Sequence, residues 1–391
     1  MGFSQALSGL NSAATNIDVI GNNIANSQTV GFKGSRTMFA DVFAGAEVGL
    51  GTRVTAVLQD FSAGTLESTN RSLDLAITGS GFFRFSQEGQ VMFSRNGQLT
   101  LSSDGFLVNP QGARLTGLPG AGGGGNPVEL QVPSGALPAK ATTAIDVLFN
   151  LDGRETAIAA PFDPNDASTY SFTNNVTIFD SLGNDHTVTQ YFIKTADNVW
   201  DVRLSREGEL APEIGNVTFD TQGLLATTTN LGSFTFVPGN GVANLDIAMS
   251  LAGSTQFGNE FELSSLSQDG FRSGSLLGVS IEENGNVVGN YSNEQTQILG
   301  TIVLANFANP EGLESVGENA WIETGTSGAA LLGEAGIGLF GTIQSGVTES
   351  SNVDLTQELI NLIIAQRNFQ ANSQTIQVQD EVLQDAVNLR R

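Results

Sequence analysis

Residues 1–25 read MGFSQALSGLNSAATNIDVIGNNIA, and residues 355–391 read LTQELINLIIAQRNFQANSQTIQVQDEVLQDAVNLRR. In the first stretch Phe3, Leu10, Ile17 and Ile24 recur every seven residues, with Leu7, Ala14 and Gly21 at the intervening four-residue steps. Such a recurrence marks a coiled-coil seam with a narrow apolar stripe. In the second stretch Leu355, Leu362, Phe369, Ile376 and Leu383 keep the same step. Their companion row, Leu359, Gln366, Ser373, Asp380 and Val387, is only partly apolar, and Ile360, Ile363 and Ile364 widen the stripe over the first turns. Helices over these stretches would be about 37 Å and about 55 Å long. Their polar faces carry Asn, Gln, Ser and Thr rather than Lys and Glu, which suits packing between like helices better than exposure to water. Both ends are therefore expected to be ordered by assembly, with their apolar stripes as the interface.

Charge separates the same ends from the middle. The chain of 391 residues carries a formal net charge of −24. Residues 1–33 hold only Asp18 and Lys33, and 355–391 hold four acids against three arginines, so nearly all the negative charge lies between them. That field repels phosphate backbones and anionic lipid, which argues against nucleic-acid and peripheral membrane binding. The N-terminus has no basic segment followed by an apolar run, so no cleaved signal peptide is expected, and no apolar run is long enough to insert in a membrane.

The middle reads as β structure. Alternating stretches occur at 188–193, 199–204, 234–237 and 298–307, with turn signals such as Asn96-Gly97, Asp104-Gly105, 182–185 and Asn284-Gly285 between them. The 47 glycines cluster at such turns, and 120–127 is a glycine-rich loop. A composition shift at 152–169 marks the start of a separate β domain, with a return near 267–275. The expected organisation is a terminal helical domain from 1–33 and 351–391, and a connector arm over 34–70. An inner β domain over 71–145 and 268–350 and an inserted outer β domain over 146–267 complete it. In the arm Phe39, Phe43 and Phe61 are candidate apolar anchors for a neighbouring subunit.

Candidate chemistry is thin. With no cysteine and one histidine, thiolate metal sites, disulfides and thiol nucleophiles are absent. His186 reads as a surface turn residue. The glycine run lacks the Lys-Ser/Thr of a phosphate loop. Asp163, Asn165 and Asp166 open like a calcium loop but lack its downstream Gly and Glu. No catalytic residue, cofactor or metal site is expected.

At the ends the sequence resembles a known family. Asn22-Asn23-Ile24-Ala25-Asn26, continuing through Gly31-Phe32-Lys33, is similar to the N-terminal signature of the bacterial flagellar axial proteins, the rod and hook family. Asn352, Asp354 and Leu355, then Gln366, Arg367, Phe369 and Asn372, resemble the C-terminal signature. Residues 71–77, 81–83 and 94–97 resemble the family's inner β domain, and 290–293 and 303–309 resemble its hook branch.

The resemblance implies a multidomain α+β fold, its terminal helices paired in an inner tube and two mainly β domains facing outward. It implies a non-enzymatic subunit that polymerises into a curved tube joining the motor's rod to the filament as a universal joint. The partners it implies are other copies of the chain, rod proteins, a hook cap, hook-filament junction proteins and the flagellar type III export apparatus. The place it implies is the flagellum, outside the cell. A distal rod or hook-filament junction subunit stands as one alternative, discriminated by the domain at 146–267. A secreted glycan-binding β protein stands as another, and a glycan-cleaving form would need facing carboxylates about 5–10 Å apart.

Overall fold

A computed structural model describes residues 2–42, 49–120, 125–206, 209–229, 234–239 and 241–388. The chain forms two compact units. Unit 1 comprises 1–134, 278–290 and 296–391, and unit 2 comprises 135–277 and 291–295.

In unit 1 both heptad stretches are helical: α1 spans Gly2–Ala25 and α2 spans Leu355–Asn388, and the two pack against each other. Asp354 starts α2, its Oδ1 accepting from the amides of Thr356 (2.8 Å) and Gln357 (3.1 Å). At the other helix's end Asn26 turns back, donating from Nδ2 to the Asn22 carbonyl at 3.0 Å. The arm is not featureless: Ser35–Asp41 and Thr52–Gln59 pair as an antiparallel hairpin that packs on α1. No helix among the described residues is long and apolar enough to cross a membrane.

The β part of unit 1 is organised by the long strand Thr296–Asn306, which pairs with Asn286–Tyr291, Arg114–Pro119 and Leu331–Glu334. Phe82–Gln87 and Gln90–Ser94 extend the sheet to Ala320–Ile322. Its core gathers Phe82, Phe93, Phe307 and Trp321, with Phe61 edge-on to Phe82 and Trp321 at centroid distances of 5.4 and 5.3 Å. A smaller sheet places Asp74–Thr78 between Thr342–Ser345 and Gly97–Gln98, and Leu66–Ser68 pairs with Val347–Glu349.

Unit 2 is two sheets around one core. Ala144–Asp152 pairs with Leu245–Ser250, Thr255–Phe257 and Glu262–Gln268, and its alternation buries Ile145, Val147, Phe149 and Leu151. The second sheet is a meander through Phe172–Phe179, Asp185–Ala196, Val199–Arg206, Glu209–Phe219 and Leu225–Thr229. Phe192, Trp200 and Val202 pack from it against the first. His186 departs from the surface-turn expectation. It begins a strand, half-buried, 3.3 Å from the Asp180 carboxylate and 5.2 Å from the Phe236 ring. Burial pushes the Asp180 carboxyl up, but hydrogen bonds from Asn184, His186 and Leu182 outweigh it and hold it at about 2.

Candidate assembly interface

The heptad positions do not all face one way. The side of α1 that its own chain covers carries small residues: Ala6, Ser12, Ala13, Ile20 and Asn23 are buried. Gly9 lies on that side directly against Asn372 of α2, so that a Cβ there would stand 2.7 Å from Asn372 Oδ1. Of this side, Gly9, Ser12 and Ala13 line a groove of about 410 Å³ together with Ala365, Asn368 and the hairpin residues Phe39 and Thr52. The expected stripe of large residues runs along the flank. Phe3 and Leu7 are exposed, and Leu10, Ala14, Ile17 and Ile24 are half-buried.

On α2 the two expected rows also part. Leu362, Phe369 and Ile376 are half-buried on the side of Ala365 and Asn372, towards α1. Leu355, Leu359 and Leu383 are exposed, as are Ile360, Ile363 and Ile364 on the opposite side. Four aliphatic residues within six positions of one helix, each about half in solvent, form a face left open among the described residues. Gln366 and Arg367 are exposed beside it.

The signature residues at the roots of the helices form a clasp rather than a surface. Asn23 pairs with the backbone of Ser35 like a strand neighbour, donating to its carbonyl at 2.8 Å and accepting from its amide at 2.9 Å. Asn352 accepts from the Gly34 amide at 2.8 Å and donates to the Asp60 carbonyl at 2.8 Å. Gly31 has φ +71°, and a Cβ on it would meet the Asn96 backbone nitrogen at 2.7 Å, so only glycine fits. Phe32 is buried beside it.

At the centre lies a charge cluster that sequence reading did not find. Lys33 Nζ donates to Glu349 Oε1 at 2.6 Å and to the Ser62 carbonyl at 2.7 Å. Gly64 donates its amide to the same carboxylate oxygen at 2.9 Å, and Arg95 stands 3.5 Å from Oε2. All three charged side chains are nearly inaccessible to solvent. Burial pulls the Lys33 ammonium below the ordinary lysine value, a pull the Glu349 carboxylate only partly offsets. The sole advance signal was Lys33 as the one basic residue of the first 33. The covered face of α1 had a clearer signal, Ala6, Ala13 and Ile20 at seven-residue steps.

Of the arm's anchors, Phe61 is used within its own unit, in the aromatic core. Phe39 is exposed at 48 % and borders the groove, and Phe43 lies outside the described residues.

Comparison with known proteins gives this architecture a class. Four family models match in succession: "Flagella basal body rod protein" over 4–33, "Flagellar hook protein FlgE/F/G D1 domain" over 76–154, "Flagellar basal body protein FlaE D2 domain" over 150–271, and "Flagellar basal body rod FlgEFG protein C-terminal" over 344–389. Terminal helices closed by a clasp, with a β middle between them, are those of a flagellar axial protein. The flagellar hook protein FlgE of Escherichia coli K12 is 46% identical over 402 residues, covering all of both chains. That of Borreliella burgdorferi is 32% identical, covering 98% of each. The chain belongs to the flagellar hook protein FlgE family. A crystal structure of the Helicobacter pylori hook protein FlgE2 shares the fold at TM-score 0.55 and 14% identity, over 71% of this chain and 99% of that one.

Proposed function

We propose that this chain is the structural subunit of the flagellar hook, self-assembling into a curved tube that transmits torque from the rod to the filament as a universal joint. The observation that carries the reading is the bare aliphatic face of α2 beside the flank stripe of α1. Exposed apolar faces on paired helices are what a neighbouring helix pair buries. A heterologous contact that does not close on itself builds a helical tube. On this reading 1–33 and 351–391 form the inner tube, 34–70 the arm, 71–145 with 268–350 the inner β domain and 146–267 the outer one. Residues Phe3, Leu7, Leu10, Ala14, Ile17, Ile24, Leu355, Leu359, Leu362, Phe369, Ile376 and Leu383 supply the polymer interface. Its neighbours are further copies, rod proteins at the base, a cap during growth and junction proteins at the tip. The chain reaches them by the type III export apparatus, outside the cell, and performs no catalysis.

The acidic, polar middle suits contacts that shear as the tube bends, because water replaces a broken polar partner at little loss. Purified protein salted out and viewed in negative stain should form tubes; dispersed particles under every condition would oppose the reading. A chain lacking 146–267 should still polymerise, but into straighter tubes, and normal curvature would refute the role given to the outer domain.

A further inference from the structure

Unit 1 is discontinuous. Its first part, 1–134, and its last, 296–391, are separated along the chain by unit 2. Beside the helix pair and the strands Thr296–Asn306 and Ala320–Ile322, which pair with 82–94 and 114–119, the two parts are joined through 342–354. Thr342–Ser345 pairs with Thr78 back to Leu75, and Gly97–Gln98 on the other edge reaches only Asp74 and Leu75. Ala76 and Ile77, both buried, therefore depend on the C-terminal strand alone for their ladder partner. Val347–Glu349 does the same for Leu66–Ser68. Around these ladders the Gly31 amide donates to the Glu349 carbonyl, Thr69 to Gly346 and Ser350 to Thr65, all at 2.8–2.9 Å. Gly34 donates to the Asn352 side chain.

The charges make the dependence steeper. Glu349 is the carboxylate that both Lys33 and Arg95 approach, 316 residues from Lys33 along the chain. Without it, Lys33 keeps the Ser62 carbonyl and Arg95 keeps the carbonyls of Ile77 and Gly79. Two buried cations would then share no anion. Removing one partner of a buried ion pair is far costlier than the pair is worth, because the charge left behind stays desolvated. A buried strand edge with unpaired amides and carbonyls is penalised in the same way. Unit 2 has no such dependence on 342–354, since all of it but 291–295 is one continuous run, 135–277, that carries its own core.

We infer that 342–354 is a closing segment, a peptide ligand carried on the chain itself, whose docking orders 31–34, 59–69 and 74–78 in one event. The receiving surface is two strand edges flanking a pair of buried cations. The ligand is an extended peptide whose carboxylate reaches both, followed by an asparagine that ties down Gly34. A chain that emerges N-terminus first consequently leaves 31–34, 59–69 and 74–78 open until its last part arrives. The inference needs only the direction of synthesis, and stands whether or not the proposed function does.

The test uses the full chain with a protease site inserted between Gly338 and Leu339, a turn where Leu339 is 77% exposed. After cutting under native conditions the two pieces should elute together, with slow amide exchange retained at Gly31, Gly34, Thr69 and 74–78. Once 339–391 is stripped off in denaturant, exchange at those amides in 1–338 should rise at least about a hundredfold together, while 185–206 stays protected. Adding back 339–391 should restore protection, and carrying Glu349→Gln it should rebind at least about tenfold more weakly. In the uncut chain, Glu349→Gln should speed exchange at Gly31, Gly34 and Thr69 in concert. Protection at 74–78 that survives removal of the segment, or a faster Gly64 alone in the uncut variant, would overturn the inference.

Discussion

Replacing Ile363 and Ile364 together by serine separates assembly from folding. Their exposures are 51 and 52%, and they lie on the side of α2 away from α1. Each has about half its surface left to bury, and full burial of such a side chain is worth about 1.5–3 kcal/mol, so the pair together withholds about the same 1.5–3 kcal/mol for a neighbour. Serine and isoleucine have similar helix propensities, which leaves the isolated chain's stability within about 0.5 kcal/mol. At 1.4 kcal/mol per factor of ten, the critical concentration for polymerisation should rise about 10- to 150-fold. Sedimentation across a concentration series measures it, with the circular-dichroism melt of the unassembled chain as control. Leu362→Asp or Ile376→Asp should also abolish polymerisation, but both side chains are half-buried towards α1, so those variants strike the helix pair as well. An unchanged critical concentration for the double serine variant would remove the aliphatic face from the interface.

Asn23→Ala deletes both bonds to Ser35, leaving that backbone pair unmatched, and should cost unit 1 about 1–3 kcal/mol in urea unfolding. Gly31→Ala adds left-handed strain to a collision with the Asn96 backbone, and should lower the same midpoint by more than Asn23→Ala does. The Asp180 carboxyl, held at about 2 against about 3.9 when unfolded, contributes stability that is fully present above pH 4. That contribution, about 2 kcal/mol, is lost as pH falls towards 2, so acid should melt unit 2 over this window. In Asp180→Asn the pH dependence should flatten there, and an unaltered slope would contradict the assignment.

The helices and the strands over 188–193, 199–204, 234–237 and 298–307 were legible because their signals are local. Heptads show within one stretch, and the apolar runs at 188–193 and 298–305 fall inside the strands Asp185–Ala196 and Thr296–Asn306, each buried over five or six consecutive residues. Which side of each helix meets its own chain was not, because periodicity reports apolar spacing and not which neighbour fills it. Alanine, glycine and asparagine bring α1 close to α2, while the larger residues, to which hydropathy gives more weight, stay on the flank. The clasp was illegible for another reason. Lys33, Arg95 and Glu349 are ordinary charges in sequence, and only the folded chain brings them together. Phe61 had looked like an anchor for a neighbour because a connector's aromatic is ambiguous until Trp321 is seen beneath it.

Where unit 2 begins and ends, its two strands are tied: Leu137 donates to the Gly274 carbonyl at 2.8 Å, Gly274 returns the bond at 3.1 Å, and Lys140 and Phe271 exchange a second such pair. The run 141–270 is thus enclosed by two chain segments bridged to each other, so its ends leave and return side by side. The bridged pair offers two adjacent points at which a foreign domain can replace that run.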